Sequence, residues 1–135
     1  MNYLFLFYLI IFQGRSDIVV HNAWIRPAPE SFNTALYCTV INNSAETDTL
    51  YEITSDISND IEMHETYMKD NLIGMRPVKN FIIASHDSVV FKPGSYHIMI
   101  MNLKENAAEN STKEIKLFFK KSGEVQIKAI VRSQR

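Results

Sequence analysis

The sequence predicts an all-β protein, and three observations support this fold class. Short runs rich in β-branched and aromatic residues recur along the chain, separated by clusters of Pro, Gly, Asn and Asp that favour turns. The last two runs alternate apolar and polar residues, as strands do when one face is buried. No long stretch has the apolar periodicity of an amphipathic helix. We therefore expect a two-sheet antiparallel sandwich of about seven to nine strands.

The predicted elements follow one another as short strands joined by hairpins and corner loops. The strand runs are Ile18 to Ile25, Thr34 to Ile41, Thr49 to Thr54, Ile61 to Tyr67, Leu72 to Met75, Phe81 to Ile83, Ser88 to Phe91, His97 to Met101, Glu114 to Phe119 and Val125 to Val131. In the last run, Val125, Ile127 and Ala129 share one face, which we expect to be buried. The polar segment from Glu105 to Thr112 is predicted to be a surface loop.

Composition and charge exclude several functions without identifying one. With 135 residues, of which 46% are hydrophobic and 21% charged, the chain is expected to form one domain. The net charge of −1, with acids and bases interspersed, gives no field of one sign that would hold nucleic acid. Cys38 is the only cysteine, so an intramolecular disulfide and a CxxC pair are excluded. Its apolar surroundings favour a buried structural thiol.

The first segment of the chain has the character of an export signal. Tyr3 to Phe12 is almost wholly apolar and shorter than the roughly 20 residues that span a bilayer. Gly14-Arg15-Ser16 would allow cleavage before Asp17, although no Lys or Arg precedes the apolar run, which leaves an uncleaved anchor as the alternative. We predict a signal peptide or hydrophobic leader over 1–16 and a β-sandwich domain over 17–135, with membrane attachment only through the leader.

Two His–Met pairs are the features that carry chemistry. In an extended strand, His97 and Met99 project from the same face, close enough to share one ion. The turn Lys69-Asp70-Asn71 can fold a hairpin that returns Met75 to about the level of His64. Thioether sulfur binds Cu(I) and has little affinity for Zn(II), Mg(II) or Ca(II), and imidazole also suits copper. These residue types therefore indicate a Cu(I) site, while ordinary core and surface roles stay open.

Residues next to the pairs have other expected roles. Alternation places Tyr96, Ile98 and Ile100 toward the core, and it places Met63 on the core side of its own strand. Met101 shares the face of His97 and Met99 one pair further along and is expected either to support the ligands or to pack in the core.

Three polar residues complete the candidates near the pairs. His86, in a predicted turn, is an auxiliary metal-ligand candidate. Glu65 and Arg76 flank the pairs and are candidates for orienting an imidazole or contacting a partner.

The spacing of these residues resembles that of the PCu(A)C-type periplasmic copper chaperones, and the resemblance extends from about Asp17 to Val131. The binding pattern of that family is His, ten residues, Met, twenty-one residues, His-x-Met, and His64, Met75, His97 and Met99 match it without insertion or deletion. Further matches are Ala23-Trp24-Ile25-Arg26-Pro27, Ala35-Leu36-Tyr37 with Asn42, His64-Glu65, Met75-Arg76-Pro77-Val78, Lys92-Pro93-Gly94 and Met101-Asn102-Leu103-Lys104. Two loops depart from the family pattern, at Ala84 to Ser88 and at Glu105 to Thr112.

The resemblance implies a cupredoxin-like antiparallel Greek-key β-sandwich that acts in the periplasm. It implies a non-enzymatic, monomeric metallochaperone that carries one Cu(I) on the four matched residues. The expected partner is a copper-accepting protein, either a cytochrome c oxidase subunit or another chaperone that assembles the oxidase copper site.

Three other functions compete with this interpretation. One is a metal-free β-sandwich that binds protein partners. An electron-transfer cupredoxin needs a Cys thiolate close to its second His, and Cys38 has no neighbouring His. A copper enzyme needs an open coordination position, which four protein ligands would close.

Overall fold

The computed structural model describes residues 17–134, and these residues form strands and turns without a helix. The strands are β1 (Ile18–Ile25), β2 (Thr34–Asn42), β3 (Asp48–Thr54), β4 (Asp60–Lys69), β5 (Leu72–Pro77), β6 (Phe81–Ile83), β7 (Ser88–Phe91), β8 (His97–Met101), β9 (Thr112–Phe119) and β10 (Gly123–Val131). All ten predicted strand runs are present in the described residues, which is one strand more than the upper end of the expected seven to nine. Within 17–134 no helix is long and apolar enough to cross a membrane. The predicted leader over 1–16 lies outside the described residues.

Hydrogen bonding joins the strands in the order β5-β4-β8-β2-β1-β10-β9-β3-β6, with β7 also paired to β2. Every pairing between these strands is antiparallel except that of β1 with β10, where Trp24 and Ile25 lie beside Ile130 and Val131. Strand β2 changes its partner along its length: its first residues pair with β8 and its later residues pair with β7. Because β2 changes its partner, the sheet can curve around one core.

The core lies between two halves of this strand order. Ile25, Leu36 and Ile98 come from the β5-β4-β8-β2-β1 half, and Leu50 and Ile115 come from the β10-β9-β3-β6 half. All five side chains are completely buried and belong to one apolar cluster. Burial of this kind removes the apolar faces of both halves from water, which is the main force holding a sandwich together. The predicted all-β sandwich is therefore confirmed.

The β4–β5 hairpin is closed by a two-residue turn. Asp70 and Asn71 have φ angles of 51° and 64°. Positive φ at both central residues is the conformation of a type I′ turn, whose twist matches that of the flanking strands, and Asp and Asn tolerate it well. The hairpin predicted from these residues is confirmed. Among the described strands, it makes β5 the edge strand of its half, paired only with β4.

Asp48 fastens the start of β3 to the turn between β9 and β10. Its carboxylate accepts hydrogen bonds from the backbone N–H of Thr49 at 2.8 Å, of Lys121 at 2.9 Å and of Ser122 at 2.9 Å, and from the Ser122 hydroxyl at 2.6 Å. Burial by itself would raise the pKa of Asp48, but the bonds from Ser122, Lys121 and Thr49 favour the ionised form and lower the pKa below its ordinary value. The folded state therefore stabilises the carboxylate.

We expect Asp48→Asn to lower the free energy of unfolding by about 2–3 kcal/mol at neutral pH, because an amide cannot accept all of these bonds. Since the folded pKa is lowered, this stabilisation is complete above the unfolded pKa of about 3.9 and is lost as the pH falls through the folded pKa. Urea unfolding of both proteins at several pH values measures the difference, which should shrink below about pH 4. Asp87→Asn is the control, since the exposed Asp87 carboxylate accepts one bond, from Ser88. Equal stability of Asp48→Asn and wild type at neutral pH would contradict this account.

Candidate metal centre

The candidate ligands lie on the outer face of the β5-β4-β8-β2-β1 half, away from the core. In β8, Ile98 and Ile100 are completely buried in the core, so His97 and Met99 project to the opposite face. In β4, Met63 belongs to the same core cluster, as predicted, which places His64 on the outer face. Strand alternation thus turns both histidines away from the sandwich interior.

His64 and His97 are direct cross-strand partners in the antiparallel β4–β8 pair. Their ring centroids are 5.6 Å apart, with an angle of 66° between the ring planes. A metal about 2.0 Å from a ring nitrogen lies about 3 Å from the ring centre, so two rings that share one ion have centres at most about 6 Å apart. The observed separation is therefore compatible with one ion held by both rings.

Each imidazole uses one ring nitrogen in a hydrogen bond and leaves the other without a partner. His97 Nδ1 lies 2.9 Å from the carbonyl oxygen of Ser95, which can only accept, so Nδ1 carries the hydrogen. His64 Nε2 lies 2.7 Å from Glu62 Oε2, and the same reasoning places the hydrogen on Nε2. His64 Nδ1 and His97 Nε2 are both buried and have no hydrogen-bond partner among residues 17–134. A buried polar atom without a partner is costly, and two neighbouring nitrogen lone pairs suit a metal ion.

The two methionines lie in β8 and β5: Met99 is two residues after His97 in the same strand, and Met75 is in the strand that pairs with β4. Met99 is partly buried, lies opposite Ala35 of β2 and packs against a small apolar cluster that includes Trp24 and Tyr37. Met75 lies in edge strand β5 opposite Thr66, and 61% of its surface is exposed. The structure therefore provides one shielded and one exposed thioether.

A cavity of about 470 Å³ brings three of the four candidates together. Its lining comprises Arg26, Pro27, Asn33, Thr34, Ala35, Tyr37, Thr66, Ile73, Met75, Pro93, Gly94, His97 and Met99. His64 is not among these lining residues, and it adjoins the cavity through its cross-strand partner His97. Arg26 is the only charged residue of the lining, so the cavity is largely neutral and suits soft, neutral ligands.

The described residues do not support a site for Zn(II) or another divalent ion, or a site with a thiolate ligand. Within 17–134 no three His, Cys, Asp or Glu side chains lie together as they would around Zn(II) or another divalent ion. Cys38 packs in the core cluster on the opposite side of the sheet from His97, and burial raises the pKa of its thiol to about 12. A thiolate ligand, which the electron-transfer cupredoxin requires, is therefore not part of this centre.

The remaining candidates occupy other positions. Met101 lies opposite Asp60, one pair beyond Met99 on the same face. His86 is exposed in the turn between β6 and β7, strands that carry none of the four matched residues. Tyr96, which was expected to face the core, lies just before β8 and packs its ring edge-on against the core residue Phe81 at 5.0 Å, but it is 39% exposed and so lies at the edge of the core.

Two residues that contact the imidazoles were not predicted. Glu62 precedes His64 by two positions within β4, so strand alternation puts its side chain on the same face as the ring, and that spacing is the signal by which it could have been found. Ser95 lies before β8 and contacts His97 through its backbone carbonyl oxygen, which its residue type does not reveal. Glu65, in contrast, forms an ion pair with Arg76 across the hairpin, and neither is hydrogen-bonded to a candidate ligand.

The sequence of this chain is similar to a protein family and to a curated relative. A family model described as "Putative lipoprotein LpqE-like" matches residues 18–131. A curated relative, the uncharacterized protein RP573 of Rickettsia prowazekii, is 34% identical over 111 residues, which are 77% of this chain. The chain spans 61% of the length of that relative.

Solved structures with the same fold include domains described as binding copper. The copper-bound PCuAC domain from PmoF2 matches with a TM-score of 0.72 and 22% identity, over 87% of this chain and 94% of that domain. The solution structure of Cu(I)-bound DR1885 from Deinococcus radiodurans matches with a TM-score of 0.68 and 22% identity, over 84% and 76% of the two chains. At this level of identity the matches establish the fold, which agrees with the cupredoxin-like sandwich expected from the sequence.

Proposed function

We propose that this chain, which belongs to the LpqE-like family, is a copper metallochaperone. It binds one Cu(I) ion through His64, Met75, His97 and Met99. Its fold is that of domains whose solved structures are described as copper-bound and Cu(I)-bound, which supports copper as the cargo. It carries the ion stoichiometrically and catalyses no reaction.

The observation that carries this proposal is the pair of unpartnered ring nitrogens. His64 Nδ1 and His97 Nε2 are buried on adjacent strands, and each ring donates its other N–H to an oxygen of the protein. Metal-binding histidines are held in this way, because the second hydrogen bond fixes the tautomer and the orientation of the ring. The thioethers of Met99 in β8 and Met75 in the neighbouring strand β5 add the softness that favours Cu(I) over Zn(II).

The different exposure of the two methionines supports a transfer role. Met75 lies in an edge strand where Leu72 and Ile73 are also more than 70% exposed, so an incoming protein can reach this side of the centre. An accepting protein can replace the exposed Met75 sulfur first, while His97 and Met99 still hold the ion from the more buried side. Exchange of one ligand at a time avoids releasing free copper.

We further propose that the protein works in the periplasm as a monomer and delivers copper for assembly of the cytochrome c oxidase copper site. The apolar leader over 1–16 supports export, as does the lipoprotein description of the family. A site without a thiolate also suits an oxidising compartment, where cysteine ligands would be oxidised. The recipient is expected to be an oxidase subunit or another assembly chaperone.

The alternative function is a metal-free module that binds protein partners. The exposed apolar side chains of β5, Leu72 and Ile73, are the observation that favours it. In this case the β4–β5 hairpin would be a docking surface for a protein partner, and the histidines would bind no metal.

A Cu(I) titration under reducing conditions, against a chromophoric Cu(I) competitor, separates the two functions. We expect tight binding of one equivalent, with nitrogen and sulfur neighbours in X-ray absorption at the copper edge. Emission of Trp24, the only tryptophan, should change up to one equivalent, because Met99 packs against the cluster that contains it. Absence of tight binding would reject the chaperone and favour the metal-free module.

A further inference from the structure

The carboxylate of Glu62 is the side chain that holds His64. Glu62 Oε2 lies 2.7 Å from His64 Nε2, and the imidazole is 14% exposed against 42% for the carboxylate. Both residues lie on the outer face of β4, two positions apart, and Glu62 is the cross-strand partner of Met99. Glu62 therefore adjoins two proposed ligands, although within 17–134 it forms no three-residue metal cluster with the histidines.

We propose that Glu62 is a positioning residue that makes His64 bind the metal through Nδ1, while His97 binds it through Nε2. This inference rests on the proposed function and names the atoms by which the two rings act. The carboxylate does not touch the ion. It acts through the ring that it orients.

The reason for the asymmetry is the position of each hydrogen-bond acceptor. At His97 the acceptor is the Ser95 carbonyl oxygen, which occupies Nδ1 and leaves Nε2 free. At His64 the acceptor is the Glu62 carboxylate, which occupies Nε2 and leaves Nδ1 free. Nδ1 lies closer to the backbone than Nε2 does, so His64 presents its lone pair near the strand and His97 presents its lone pair further out.

Loss of the Glu62 carboxylate is expected to weaken metal binding by His64. Without Glu62, Nε2 of His64 has no acceptor and becomes a second possible donor atom for the metal, and the ring can rotate. Loss of such an outer hydrogen-bond partner typically lowers metal affinity by about 10–100-fold. A glutamine in its place keeps a carbonyl oxygen that can accept the Nε2 hydrogen and removes the charge.

The first test is made on the copper-free protein by nitrogen-edited NMR. We expect wild type to show the Nε2–H proton of His64 downfield in slow exchange with water, because a hydrogen bond to a carboxylate protects it. The same proton should persist in Glu62→Gln and disappear in Glu62→Ala. Since Cu(I) is diamagnetic, the nitrogens that change shift on loading should be Nδ1 of His64 and Nε2 of His97.

The second test is the Cu(I) affinity of the same variants. We expect Glu62→Ala to weaken binding by about 10–100-fold and Glu62→Gln by less than about 10-fold. Glu65→Gln is the matched control, because it removes one charge from β4 on the side that faces Arg76, and it should bind as wild type does. Equal losses for Glu62→Gln and Glu62→Ala would show a charge effect and overturn the positioning role.

The outcomes separate this inference from the proposed function. Coordination of wild-type His64 through Nε2, or an unchanged affinity in Glu62→Ala, would overturn the role of Glu62 while leaving copper binding in place. Failure of wild type to bind Cu(I) would overturn the proposed function, and the slow-exchanging His64 proton of the copper-free protein would show that the hydrogen bond itself is present.

Discussion

Replacing His97 by alanine is expected to lower the Cu(I) affinity by more than about 100-fold, beyond the range seen when only an outer partner of a ligand is lost. His97 is 6% exposed and lies opposite His64, with Met99 two residues further along the same face. Its Nε2 is buried and, within the described part of the chain, unpartnered, so the variant lacks an atom that we propose as a ligand. The measurement is competition with a chromophoric Cu(I) ligand under reducing conditions.

His86→Ala is the control for this substitution. His86 is exposed in the β6–β7 turn, and its loss should leave the affinity unchanged. Because His97 is buried, urea unfolding of His97→Ala must show that the variant is folded under the titration conditions, and His97→Asn provides a second variant that keeps a polar side chain. A folded His97 variant that binds Cu(I) as tightly as wild type does would place the copper elsewhere.

Much of the fold was predictable because local patterns and long-range packing agree. The alternation that places Ile98 in the core is visible in the sequence, and it also places His97 on the outer face. The β4–β5 hairpin was predictable because Asp70 and Asn71 are residues that tolerate the positive φ angles found there. In these places the short-range signal and the tertiary structure require the same conformation.

Strand pairing could not be derived from local patterns. The pairing of β4 with β8 places His64 opposite His97 across a long stretch of sequence, and only the recognised family spacing suggested that these residues meet. The partial exposure of Tyr96 has a related cause. Alternation assigns a face to a side chain but does not say where the covering layer ends, and Tyr96, just before β8, packs against the core residue Phe81 with 39% of its surface still exposed.

The hydrogen bonds that orient the two rings could not be predicted from the sequence either. Glu62 could be placed on the face of His64 by alternation, but a carboxylate on a strand face more often points into water than toward an imidazole. Ser95 contacts His97 through its backbone carbonyl oxygen from outside the strands, where alternation does not apply. Which ring nitrogen each residue occupies depends on side-chain torsion angles, which sequence spacing does not define. The choice of donor atom is therefore a property of the folded structure.

Replacing both Met75 and Met99 by leucine is expected to remove the preference for Cu(I) while leaving the protein folded. Leucine nearly conserves the volume of methionine, so the substitution of partly buried Met99 should cost less than about 1.5 kcal/mol and that of exposed Met75 less still. The two histidines remain, and imidazole binds Zn(II) and Cu(II) as well as it suits Cu(I). Cu(I) affinity should fall by more than about 100-fold, and sulfur scattering at the copper edge should disappear.

The matched control is the double variant Met68→Leu with Met101→Leu, which removes two other thioethers from β4 and β8, the strands that carry the two histidines. Met68 is 71% exposed near the hairpin turn, and Met101 lies opposite Asp60, one pair beyond Met99. This control should retain the affinity and the sulfur signal of wild type. If the Met75 and Met99 double variant also retained them, two histidines and another sulfur would be sufficient to hold the ion, and the matched spacing of methionines in the sequence would not define the ligands. Selective loss would instead show that the thioethers determine which metal the pair of imidazoles accepts.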